Sequence, residues 1–107
     1  MWIDDDGSLA RIYKNFDKID RFPVTCPKCQ KNSVHIYLHI NDKTKRGGLW
    51  IWCSSCRVFF HGSVRLDVEW ENCPKVEEEK LFAIPDCLDE IHDEIDKHMN
   101  SIKDRLL

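Results

Sequence analysis

Several things are missing from this chain of 107 residues, and each absence narrows what it can be. No apolar run approaches the ~20 residues that a membrane-spanning helix needs. The opening Met1-Trp2-Ile3-Asp4-Asp5-Asp6 has neither a basic n-region nor an apolar h-region, so it does not read as a secretory signal, and a cytoplasmic location is expected. There is no Gly-rich phosphate loop, no His-Glu-x-x-His and no Gly-x-Ser-x-Gly. Repeats and low-complexity tracts are absent too. With 42% hydrophobic and 33% charged residues, the composition is that of a soluble globular protein, and the length allows one domain, residues 1–107. A core of that size is modest, and a bound metal would supplement it substantially.

What is present is cysteine in a telling arrangement. Cys26-Pro-Lys-Cys29 and Cys53-Ser-Ser-Cys56 are two Cys-x-x-Cys pairs with 23 residues between them. Each pair supplies two sulfurs from one tight turn, and the intervening stretch is long enough for a hairpin that brings the turns together. Cys26, Cys29, Cys53 and Cys56 are therefore expected to close a tetrahedral shell around one structural Zn²⁺. A disulfide framework would need an oxidising compartment. A thioredoxin-like redox motif would need one Cys-x-x-Cys opening a helix in a β-α-β context, which is absent. A closed four-thiolate site leaves no position for an activated water, so the metal is not expected to be catalytic and no enzyme is expected. His35 and His39 lie four residues apart on a predicted strand, ~13 Å, and do not share an ion. His61 is an alternative ligand in place of one cysteine, or the partner of another histidine on the sheet face. Cys73 and Cys87 are isolated and read as free buried thiols.

Periodicity divides the chain. Leu9, Ile12, Tyr13, Phe16 and Ile19 recur at helical spacing over 8–20, with Ser8 or Asp6 available as a cap and Phe22-Pro23 ending the N-terminal segment 1–23. Residues 33–40 alternate, with Val34, Ile36, Leu38 and Ile40 facing one way and His35, Tyr37 and His39 the other. A polar loop, 41–48, ends in Gly47-Gly48 as a hairpin tip would. A second strand over 49–53 puts Trp50 and Trp52 on one face, and 58–65 reads as a third. Residues 66–85 form an acidic connector. From Asp86 to the end, Leu88, Ile91, Ile95, Met99, Ile102 and Leu106 mark a second amphipathic helix, with Asp86, Asp89 and Glu90 at its start and Lys103 and Arg105 near its end, as the helix dipole favours. Its stripe suits packing on the core, with an oligomer or partner seam as the alternative.

Two cysteine knuckles feeding a three-stranded antiparallel sheet over residues 24–65 resemble the zinc-ribbon superfamily. The resemblance implies an α+β fold, a three-stranded antiparallel zinc ribbon flanked by an N-terminal and a C-terminal helix, with the four paired cysteines as ligands. It departs from the usual knuckle in one respect. Gln30 and Arg57 stand where Gly often follows the second Cys.

The net charge of −3 hides a segregation. Residues 1–20 carry three basic and five acidic groups, 21–65 carry eight basic groups against Asp42 alone, and 66–107 carry five basic and thirteen acidic, giving −2, +7 and −8. Two kinds of macromolecular binding follow. A basic ribbon with Lys43, Lys45 and Arg46 at its tip, and Tyr37, Trp50, Trp52 and Phe59 on one face, could hold phosphates and stack bases, with the acidic C-terminal region as its regulator. That region would compete for the same surface, so a protein partner is favoured over nucleic acid. In that reading Glu77, Glu78, Glu79, Asp89, Asp93, Glu94 and Asp96 face a basic partner, as in an adaptor or an inhibitor of the immunity-protein kind. Nothing in the sequence marks a small-molecule substrate.

Overall fold

The computed structural model describes residues 1–106, with side chains through Asp104. The fold is α+β, built on a four-stranded mixed sheet in the order β1-β4-β3-β2. β2 (Val34–Ile40), β3 (Arg46–Cys53) and β4 (Val58–Arg65) form the expected antiparallel meander. The expected sheet stopped at three strands. The structure adds β1 (Ile3–Asp4), parallel to β4 through Ile3 N–H to Arg57 O at 2.8 Å and Asp5 N–H to Phe59 O at 2.9 Å. The acidic start of the chain thus covers one edge of the sheet.

The opposite edge, along β2, is covered by side chains. Trp70 donates its indole N–H to Leu38 O at 2.9 Å, and the Asn72 amide accepts from Ile40 N–H and donates to Ile40 O at 2.8 and 2.9 Å. Asn72 does what one residue of a further strand would do for Ile40, and at the other end of the edge Val24 pairs with Val34 through two backbone bonds of 2.9 Å.

The hairpin tip is shorter than expected, because Gly47 and Gly48 belong to β3. They serve close approach and not the turn. A Cβ on Gly47 would lie 1.9 Å from the carbonyl oxygen of His39, and one on Gly48 would lie 2.6 Å from the Trp50 ring. The turn itself is carried by Lys45, which has a φ of 60°, and by Asn41, whose side chain accepts the N–H groups of Lys43 and Thr44.

The first helix is broken relative to expectation. α1 covers Ala10–Lys14 and a separate 3₁₀ turn covers Phe16–Lys18. The turn is held tertiarily, because Lys103 donates to Phe16 O at 2.7 Å and Phe16 packs on Phe22. Asp5, and neither Ser8 nor Asp6, caps α1 by accepting the N–H groups of Leu9 and Ala10. The C-terminal helix is likewise divided into α2 (Asp86–Asp89) and α3 (His92–Leu106). Leu88, Ile95, Met99 and Ile102 are buried in the core and Ile91 packs half-buried against it, so those positions of the stripe serve packing and not an oligomer seam. The side chains of Arg105 and Leu106 lie outside those described. No described helix is long and apolar enough to cross a membrane.

Four tryptophans tie the layers together, each through its indole N–H. Trp2 donates to Asp86, Trp50 to Phe82 O at 2.7 Å, Trp52 to Asp89 at 3.0 Å and Trp70 to Leu38 O. Every one of these bonds spans more than 30 positions of sequence. Large apolar bodies with one satisfied polar tip are well suited to this task.

Candidate metal centre

The two knuckles bring Cys26, Cys29, Cys53 and Cys56 together, their Sγ atoms all within 4.8 Å of one another. Cys26 to Cys56 is 3.8 Å and Cys29 to Cys53 is 3.6 Å. Four thiolates about 2.3 Å from one ion at tetrahedral angles would be separated by about 3.8 Å, whereas a disulfide requires about 2.05 Å. The donor set can hold a metal ion, and its softness and geometry are compatible with zinc.

Each knuckle is a turn that aims backbone N–H groups at sulfur. Lys28 N–H points at Cys26 Sγ and Cys56 N–H at Cys53 Sγ, both at 3.4 Å. Gln30 and Arg57 take φ of 64° and 67°, the left-handed conformation that a glycine would take there. Their presence in place of Gly therefore does not alter the turn. The Ser33 hydroxyl lies 3.1 Å from Cys53 Sγ. Burial pushes the Cys26 thiol up, and it pushes Cys56 to about 12, with the adjacent Cys53 adding to the effect. Burial also opposes ionisation of Cys53, but the backbone N–H groups of Cys56 and Ser55 and the Ser33 hydroxyl outweigh it and bring that thiol down to about 6. A bound dication would favour the thiolate form of all its sulfur ligands.

Behind the second knuckle runs a buried polar chain that the sequence did not signal. Both Asp96 oxygens lie 2.9 Å from His35 Nδ1, and His35 Nε2 lies 3.2 Å from the hydroxyl of Ser54, inside the second Cys-x-x-Cys. His35 and Asp96 are 61 positions apart, so no local spacing could reveal the pair. His92 stacks on His35 at 4.6 Å, completing a His-His-Asp group whose candidate ligand atoms fall within 4.8 Å. Both nitrogens of His35 already have hydrogen-bond partners, whereas His92 Nδ1 is buried without one, the Asp93 carboxylate 3.2 Å away standing outside hydrogen-bond geometry. The His35–Asp96 pair ties α3 to the knuckle.

Other predicted site residues fall elsewhere. His61 is not a ligand, because it stacks on Trp50 at 4.7 Å with its Nδ1 3.2 Å from Leu49 O. Its pairing is with an aromatic ring. Tyr37, Trp50 and Trp52 are 0%, 5% and 0% exposed, so they are core and not a docking platform. The reason is that α3, α2 and the connector cover their face through His35–Asp96, Trp52–Asp89 and Trp50–Phe82 respectively. Cys73 is buried, its N–H donating to Tyr37 Oη at 3.1 Å, and Cys87 is half-buried. Lys43 and Arg46 are exposed at the tip and Lys45 is half-buried. Arg46 stands directly across from Arg65 on β4. Glu77, Glu78, Glu79, Asp93 and Glu94 are exposed. Asp96 is buried on His35. Asp89 is half-buried, bound by Trp52 and by Arg57 at 2.9 Å. Those two carboxylates are structural and leave the candidate partner surface.

No protein family, curated protein or solved structure matches the chain.

Proposed function

We propose that this chain is a zinc-stapled, non-catalytic protein-interaction module related to the zinc ribbons, with an acidic C-terminal surface for a basic partner. One structural Zn²⁺ on Cys26, Cys29, Cys53 and Cys56 holds the two knuckles together. The observation that carries the partner reading is the combination of charge and burial. Residues 66–107 have a net charge of −8, and Glu77, Glu78, Glu79, Asp93 and Glu94 remain exposed after folding. Of the aromatic side chains that could have stacked bases, Tyr37, Trp50 and Trp52 are spent on the core, and Phe59 is half-buried with the edge of Trp2 against it at 6.4 Å. Adaptors and inhibitors of basic proteins, immunity proteins among them, gain on-rate and specificity from such complementarity.

The second reading, a nucleic-acid-binding ribbon regulated by its acidic region, is favoured by one feature. Lys43, Lys45 and Arg46, with Arg65 opposite Arg46, form a basic end of the sheet. Without a stacking platform that surface would act through phosphates alone and bind with steep salt dependence. The test is a tagged pull-down from the native host lysate, split into nuclease-treated and untreated halves. One protein partner recovered equally from both halves is the expected result. Recovery abolished by nuclease would overturn the protein reading.

A further inference from the structure

The acidic surface has an apolar centre that the sequence-level charge count did not reveal. Residues 75–94 carry eight acidic and two basic groups. In their midst Phe82 is 69% exposed and Ile84 46%. An exposed phenylalanine on a mobile tail would mean little, but this one is held. The Phe82 carbonyl accepts the Trp50 indole N–H at 2.7 Å, and Pro85 is fully buried three residues on. The backbone between these anchors is fixed while the two side chains point outward.

Beside them lies a cleft of about 390 Å³ lined by Lys80, Phe82, Ile84, Asp86, Cys87 and Glu90. A second cleft of about 170 Å³ shares Lys80, Cys87 and Glu90 with it and continues onto Val76, Leu88 and Ile91. The two form one groove with apolar patches along its length. Its walls carry Lys75 and Lys80, the latter paired with Glu77 at 2.6 Å, and on the acidic side Glu90 and Asp86, within a stretch whose carboxylates outnumber its cations.

We infer that this groove is the docking site of the protein partner, and that its occupant is a basic amphipathic segment. Apolar side chains of that segment lie on Phe82 and Ile84, and its Lys or Arg residues face the carboxylates. This inference rests on the protein-partner reading above. The occupant follows from complementarity. An anionic ligand would meet the carboxylates around the groove, and a purely basic one would leave the apolar side chains in water. An apolar anchor within a charged rim is the arrangement that concentrates binding free energy at protein interfaces. Pre-organisation by the Trp50 and Pro85 anchors removes the ordering cost that a loose loop would incur on binding.

The test uses the full, metal-loaded chain and a synthetic 14-residue amphipathic helix of Leu and Lys. A Leu-free peptide of equal charge and a single-stranded oligothymidine serve as comparators. The Leu/Lys peptide is expected to bind and to shift the Trp50 indole N–H resonance, which is bonded to Phe82. Phe82→Ala with Ile84→Ala should weaken it at least tenfold, with unchanged far-ultraviolet circular dichroism because both side chains are exposed. Glu90→Gln, which removes the carboxylate common to both clefts, should flatten its salt dependence. Equal binding of the Leu-free peptide, an unchanged affinity of the Phe82/Ile84 variant, or binding of oligothymidine on its own that Phe82→Ala with Ile84→Ala abolishes would overturn the groove. The pull-down reports separately on the broader reading. A partner still captured in full by the Phe82/Ile84 variant sinks the groove alone, whereas loss of capture on nuclease treatment sinks the protein reading.

Discussion

Gln30 and Arg57 occupy equivalent places in the two knuckles. Both have left-handed backbone, and each donates its N–H to the carbonyl of its knuckle's first cysteine, Gln30 to Cys26 at 2.9 Å and Arg57 to Cys53 at 3.0 Å. The equivalence ends at the side chains. Gln30 reaches only the Pro27 carbonyl, whereas Arg57 pairs with Asp89 at 2.9 Å and lies over the Trp2 ring at 3.7 Å. Left-handed backbone costs an L-residue about 1–2 kcal/mol, and glycine avoids most of that at about 0.5–1 kcal/mol of extra chain entropy. Gln30→Gly should therefore stabilise the fold by about 0.5–1 kcal/mol. Arg57→Gly should destabilise it, because the ion pair and the ring contact are lost. Urea denaturation midpoints of the two holo variants check this, and a destabilised Gln30→Gly would contradict the turn assignment.

Metal removal should unfold the chain. Structural zinc supplies on the order of 10–16 kcal/mol in small domains. Cys26→Ser or Cys53→Ser should each abolish stoichiometric zinc and cooperative unfolding, as should excess chelator. Cys73→Ser and Cys87→Ser should retain one zinc per chain. Elemental analysis of purified protein is the measurement, and a full equivalent of zinc after Cys53→Ser would refute the four-thiolate site.

Tyr37 predicts a loss of stability at alkaline pH. Burial raises its phenol pKa, and its hydroxyl lies 2.8 Å from His39 Nδ1 while accepting the Cys73 N–H. The folded state therefore keeps a proton that the unfolded chain releases near pH 10. The Tyr37 contribution is complete below that value and declines as pH rises through it. Unfolding free energies measured at pH 8 and 10.5 should diverge more for the native chain than for Tyr37→Phe. Equal slopes would argue against a protonated buried phenol.

Gly47→Ala should be among the most damaging small substitutions. Its Cβ would meet His39 O at 1.9 Å, a backbone atom in the neighbouring strand, so relief requires parting β2 from β3. A loss of at least ~3 kcal/mol is expected, at the upper end of overpacking costs. A variant as thermally stable as the native chain would show that the strands approach less closely there.

Asp96→Ala should cost about 1–3 kcal/mol, the penalty for leaving a buried donor on His35 unsatisfied. Because His35 also holds Ser54 in the second knuckle, this variant should release zinc faster to a competing chelator at a pH where it remains folded. An unaltered release rate would confine the pair to packing.

The sequence by itself determined the features that depend on local spacing. The paired cysteines announced two turns with four converging sulfurs, period-2 alternation marked β2, and the Leu88–Ile95–Met99–Ile102 stripe marked a core-facing C-terminal segment, though not its division into α2 and α3. Tertiary structure alone decided what covers what. Alternation in β2 says that its two faces differ, but not that α3, α2 and the connector would cover the face bearing Tyr37, Trp50 and Trp52. The pairing of Asp96 with His35, the edge cover by Asn72 and the parallel addition of Ile3–Asp4 join residues tens of positions apart, where no periodicity operates. The same holds for Phe82, whose outward placement follows from a carbonyl fixed by Trp50 and not from its own neighbours in the chain. Local patterns set the elements, and the satisfaction of buried polar groups set how they meet.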